Sequence, residues 1–129
     1  MIKKILSLFK QEGNEDLFVP KDVNVTFHLN YKELPIGTLT VDKAIWTFKY
    51  TDEFRGQHDI QPLMDFPDVD KVYVSKDLWP FFVYRIPGLN QYKVQEIIRL
   101  EHLDGKNEVD LLRRFGQRSI NNPFQLTAG

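Results

Sequence analysis

A chain of 129 residues, 42% hydrophobic and without cysteine, is sized for one domain that buries roughly two-thirds of the surface of its unfolded form, with neither a disulfide framework nor a thiolate metal site. Seventeen basic residues against eighteen acidic ones leave a formal net charge of −1, which argues against a protein whose main task is to coat nucleic acid. No apolar run approaches the roughly 18 residues of a membrane span and no secretory signal is visible, so the expectation is a soluble, cytoplasmic protein with no membrane partner.

Charge is uneven along the chain. Asp52 to Asp77 holds seven acids and three bases, whereas Leu78 to Arg118 holds seven bases and five acids. A solvated surface accounts for that modest asymmetry without a specific electrostatic partner.

Residues 1–16 read as a short amphipathic segment and linker ahead of a domain spanning 17–129. Ile2, Ile5, Leu6 and Phe9 fall at helical spacing with Lys3, Lys4 and Lys10 off the stripe, which suits a docked terminal helix better than a membrane anchor. Gln11 to Asp16 is polar with a glycine, the composition of a linker.

Val23, Val25, Phe27 and Leu29 alternate with polar residues, the period of a half-buried strand. After a turn at Tyr31 to Pro35, Ile36 to Val41 forms a second strand, Asp42-Lys43 a turn, and Ala44 to Tyr50 a third strand with Trp46, Phe48 and Tyr50 on one side. Strands adjacent in sequence pair antiparallel. Gly37 within a strand signals a bulge or a close backbone approach. Asp52 to Pro67 reads as loop, and Lys71 to Val74 as a short edge strand.

The pattern then turns helical. Leu78 to Pro87 carries one charge in ten residues and, wound as a helix capped by Asp77, would be apolar all round. Leu78, Phe81, Phe82 and Arg85 would face one side, Trp79, Val83 and Ile86 the adjacent one; one stripe serves the core and the other suggests a partner. Pro80 is tolerable in a first turn, and Pro87-Gly88 ends the helix. A second helix starts from Asn90, turns Val94, Ile97 and Ile98 inward and closes at Asp104-Gly105; a third runs from Asn107 to a C-cap at Gly116. Strands followed by helices give an α+β fold, a small antiparallel sheet packed against about three helices.

Gly37-Thr38-Leu39, Trp46-Thr47-Phe48-Lys49-Tyr50, Phe54, Phe81-Phe82 with Ile86-Pro87, and Asp110-Leu111-Leu112-Arg113-Arg114-Phe115-Gly116 occur in an order and spacing that resembles the N-terminal subdomain of HipA-type serine/threonine kinases over about residues 23–120. A freestanding subdomain of this kind is similar to the HipS antitoxins of three-component HipBST systems. The resemblance implies a protein that binds and neutralises a separate HipT-like kinase alongside a HipB-like DNA-binding protein, touching DNA only indirectly. Asn121-Asn122-Pro123, where HipA proteins commonly carry a Gly-Ala pair, and the Lys-rich start depart from the pattern at the two ends.

No enzyme chemistry is legible. There is no cysteine and no Gly-x-Ser-x-Gly setting; His28, His58 and His102 share no ligand spacing. Asp65, Asp68 and Asp70 lack the glycine and the terminal glutamate of a calcium loop, and no cofactor is implied. Kinase motifs are missing too, since Gly37 is isolated and Asp65-Phe66 runs into Pro67. A role in phosphoryl transfer would therefore be exerted by binding. The candidate partner-binding residues are Trp79, Val83, Tyr84, Ile86, Arg113 and Arg114. Trp79 is either a core aromatic or an interface anchor. The Arg113, Arg114 and Arg118 group suits carboxylates or phosphates, while complementing the helix dipole explains the first two equally well. The alternatives to an antitoxin are a subdomain that completes or activates a split kinase and, with little support, a small hydrolase.

Overall fold

The computed structural model describes residue 14, residues 16–120 and residues 122–129. The amphipathic stripe of residues 2–10 lies outside the described residues. The chain builds an α+β fold in which a five-stranded antiparallel sheet carries four short helices among the described residues. Strands β1 (Asn24–Tyr31), β2 (Leu34–Asp42) and β3 (Ile45–Tyr50) form the expected meander. The one-turn helix α1 (Asp52–Arg55) follows, then edge strand β4 (Tyr73–Ser75), the one-turn α2 (Pro80–Val83), α3 (Tyr92–Leu100), α4 (Glu108–Phe115) and β5 (Gln125–Ala128). The spatial order is β4-β3-β2-β1-β5.

Alternation decides which face is buried. Phe27, Leu29, Leu39, Val41, Trp46, Phe48 and Tyr50 all point into the core, where Phe48 stacks on Phe66 at 4.1 Å. The β2–β3 turn places Lys43 and Ala44 at φ 52° and 65°, the left-handed pair that matches the twist of a two-residue hairpin. Gly37 realises both sequence alternatives. The register shift after Leu29 leaves Ile36 bulged between the partners Gly37 and Pro35, and a Cβ on Gly37 would sit 2.7 Å from the Lys49 carbonyl oxygen and against the Phe48 ring.

The Tyr50 phenol organises the loop after α1. Its O–H donates to the Phe66 carbonyl at 2.6 Å and accepts the Leu63 N–H at 2.9 Å, and burial pushes its pKa up to about 12. Helix α3 begins after Gln91 and ends at Glu101, earlier than Asp104-Gly105. The chain leaves it through His102 at φ 55°, with Leu103 N–H bonded to Ile98 O at 3.0 Å and His102 N–H to Arg99 O at 3.3 Å, a Schellman stop built on a non-glycine residue. Helix α4 follows the sequence reading: the Asn107 side chain accepts the Asp110 N–H at 3.1 Å, and Gly116 is the C-cap.

Asn14, expected in a linker, is buried. Its side chain donates to Pro87 O and accepts the Leu89 N–H, both at 3.0 Å. Asp16 pairs with Lys106 at 2.8 Å, and Phe18 exchanges backbone hydrogen bonds with Lys106 and Glu108 on either side of Asn107. The linker composition therefore does not describe Asn14, whose amide ties this stretch to the α2–α3 connection.

Candidate functional site

The apolar stretch 78–87 forms one helical turn instead of a full helix. Pro80 starts it, and Pro87 both bars continuation and disfavours helical geometry at Ile86. Beyond Val83 the chain continues in tight turns, with Arg85 N–H bonded to Phe82 O and Ile86 N–H to Val83 O. Asp77 is not the cap. Trp79 occupies that position without a side-chain bond, and the Phe81 N–H is taken at 2.8 Å by the Asp65 carboxylate.

This geometry corrects the expected exposed stripe. Val83 and Ile86 are only 6% and 1% exposed, because the domain covers the segment from two sides. Phe82 meets Phe48 at 5.8 Å on the sheet side, while Phe81 meets Phe124 at 5.9 Å beside the C-terminal strand. Neither Val83 nor Ile86 offers a surface to a partner. Trp79 is partly buried, its ring set edgewise on Phe66 at 5.0 Å, and Tyr84 remains 45% exposed.

The arginines are placed differently. Arg114 is engaged within the domain: Nε and Nη2 reach the two carboxylate oxygens of Glu101 at 2.7 and 2.9 Å, a bidentate pair that joins α4 to the end of α3. That hydrogen bonding holds the Glu101 carboxyl below its ordinary range and raises the Arg114 guanidinium. Arg113 stands 4.0 Å from Asp110 and borders a depression formed by Asn24, Val25, Thr26, Ala128 and Gly129. Tyr84 lines another groove, so Arg113 and Tyr84 border different depressions.

Arg85 is the residue that sequence reasoning missed. It is 3% exposed, donating from Nη1 to Gly116 O at 2.8 Å and from Nη2 to Asn122 Oδ1 at 3.0 Å and Phe124 O at 2.6 Å. The Phe81 ring lies 5.7 Å from its guanidinium carbon. All three acceptors are neutral, and burial lowers its pKa to about 10. The signal was present: Arg85 sits three and four residues after Phe82 and Phe81, on the stripe assigned to the core.

No group of three His, Asp or Glu residues suited to a metal occurs among the described residues. Asp65 serves as the helix cap, and Asp68 accepts the Asp70 N–H at 2.9 Å in a local turn. No helix among the described residues is long and apolar enough to cross a membrane.

No curated protein matches the chain. A family model does: the HipA N-terminal domain matches residues 28–120, which run from β1 through the bulge, the aromatic third strand, the capped α2 turn and α4. With that match over well more than half of its length, the chain belongs to the HipA N-terminal domain family, a non-catalytic subdomain of HipA kinases.

Proposed function

We propose that this domain is a non-enzymatic antitoxin that acts in the cytoplasm, binding a HipT-like serine/threonine kinase and neutralising it. The family match carries this reading, because the domain type belongs to HipA kinases, which relate to toxin–antitoxin systems. A domain made to sit against a kinase body keeps that surface when the kinase is a separate chain. A HipB-like DNA-binding protein completes the assembly, and DNA is reached only through it.

The docking element in this reading is the α2 turn. Trp79 precedes the turn, held at its base by Phe66, and the turn itself is fixed by Asp65. A large aromatic anchored in this way loses little conformational entropy on binding, the property of an interface hot spot. With Trp79 and Tyr84 against the kinase N-terminal lobe, the rigid domain restricts the lobe closure needed for ATP chemistry. Co-expression with a HipT-like kinase tests the proposal through co-purification, growth and kinase activity. Complex formation with restored growth and reduced activity is expected; a complex whose kinase activity rises would instead identify a completing subdomain.

A further inference from the structure

We infer that the groove between the exit of α2 and the C-terminal end of α4 recognises a carboxylate-bearing side chain of a partner polypeptide. Tyr84, Arg85, Pro87, Gln91, Phe115 and Arg118 are among its lining residues, and its volume of about 340 Å³ has room for an acidic side chain with the stretch of extended backbone that carries it, but not for a folded element.

Charge carries the argument. The lining contains two arginines and no acid. Arg85 is nearly fully buried, yet each of its bonds goes to a neutral oxygen and its Nε has no hydrogen-bond partner. Buried charges are ordinarily balanced by an opposite charge, and among the described residues no carboxylate pairs with this one. Burial lowers the Arg85 pKa, as expected of a guanidinium taken out of water. Half-buried Pro87 and Phe115 flank the groove, and the positive charge of the embedded guanidinium beneath it adds to that of the exposed Arg118.

The same features favour a carboxylate over a phosphate. Both Nη atoms of Arg85 already donate within the domain, which leaves the exposed Arg118 fork as the charged donor at the surface, beside the neutral side chains of Tyr84, Gln91 and Ser119. One fork matches the two oxygens and the single charge of a carboxylate, whereas a phosphate dianion calls for a second accessible cation. The flanks at Pro87 and Phe115 suit the methylene stem of a glutamate.

This inference is independent of the kinase reading, and its test uses the full chain alone. The isotope-labelled protein is titrated by NMR with acetyl-Ala-Leu-Glu-Leu-Ala-amide, with the same peptide carrying Gln in place of Glu, and with inorganic phosphate. Saturable shifts at the amides of Tyr84, Gln91, Phe115 and Arg118 are expected with the Glu peptide, and binding about tenfold weaker or more with the Gln peptide. Arg118→Ala, at an exposed position that leaves the Arg85 bonds intact, is expected to weaken Glu-peptide binding about fivefold. Equal binding of the two peptides, saturation by phosphate, an unaffected Arg118→Ala variant or the absence of any saturable shift would each overturn the inference.

Discussion

The carboxylate of Asp65 caps a helix that begins fifteen residues later in the chain, its Oδ2 accepting the N–H of Phe81 at 2.8 Å. A single turn cannot sustain itself, because its nucleation is unfavourable and it offers few internal bonds in return. The turn at Pro80 therefore depends on a tertiary cap. Asp65→Ala is predicted to destabilise the domain by about 1 kcal/mol in denaturant unfolding, the usual worth of a cap. Partner binding is predicted to weaken by more than that stability loss explains, since the element that positions Trp79 is loosened.

Tyr50 provides a second tether for the same loop. Tyr50→Phe leaves Leu63 N–H and Phe66 O unpaired and is predicted to cost about 1–3 kcal/mol. It also changes the alkaline limb of stability. With the folded-state pKa raised to about 12 by burial, the unfolded chain ionises first, so this stabilisation is complete below about pH 10 and is lost as pH rises toward 12. Arg85 acts in the opposite direction in that range, because its folded-state pKa is lowered to about 10. Its contribution is common to both proteins, so the difference between wild-type and Tyr50→Phe melts isolates the phenol.

Arg85 is predicted to latch the C-terminal strand. Arg85→Met frees the Gly116 and Phe124 carbonyls together with the Asn122 side chain, and should cost about 3 kcal/mol. Hydrogen exchange should quicken first at the β1 and β5 amides that pair across Phe27–Asn30 and Gln125–Ala128, ahead of the β2–β3 ladder. Uniform acceleration through the whole sheet would show that Arg85 stabilises the domain as a unit.

Asn14→Ala removes both halves of a buried amide bridge and is predicted to destabilise by about 1–3 kcal/mol. Deletion of residues 1–16 should cost at least as much in a thermal melt, as it also removes the Asp16 pair with Lys106.

The strands β1 to β3 were legible because one face of each is buried and the other solvated, which writes period 2 into the sequence. Helix α4 was equally plain, its Asn107 and Gly116 bracketing a single apolar stripe. Between them, the stretch 78–87 misled. Uniform apolarity reports burial but not direction, so a segment enclosed by its own domain reads the same as one waiting for a partner. Strand β5 was silent because only Leu126 among its residues turns inward, leaving no alternation. The Asp65 cap and the Arg85 bonds lie beyond any local window, spanning 16 residues and 31 to 39 residues respectively. Of the candidate site, Trp79 and Tyr84 keep accessible surface, Arg114 is paired within the domain, and Val83 and Ile86 belong to the core.

The central claim, that Trp79 anchors a kinase partner, is tested most directly by measuring Trp79→Ala in two assays together: affinity for a HipT-like kinase and denaturant unfolding of the free domain. A loss of about 2 kcal/mol or more in binding with a smaller loss in folding stability is predicted, as for a partly exposed hot-spot aromatic. Unchanged binding, or a folding loss of about 3–5 kcal/mol typical of a core tryptophan, would contradict it.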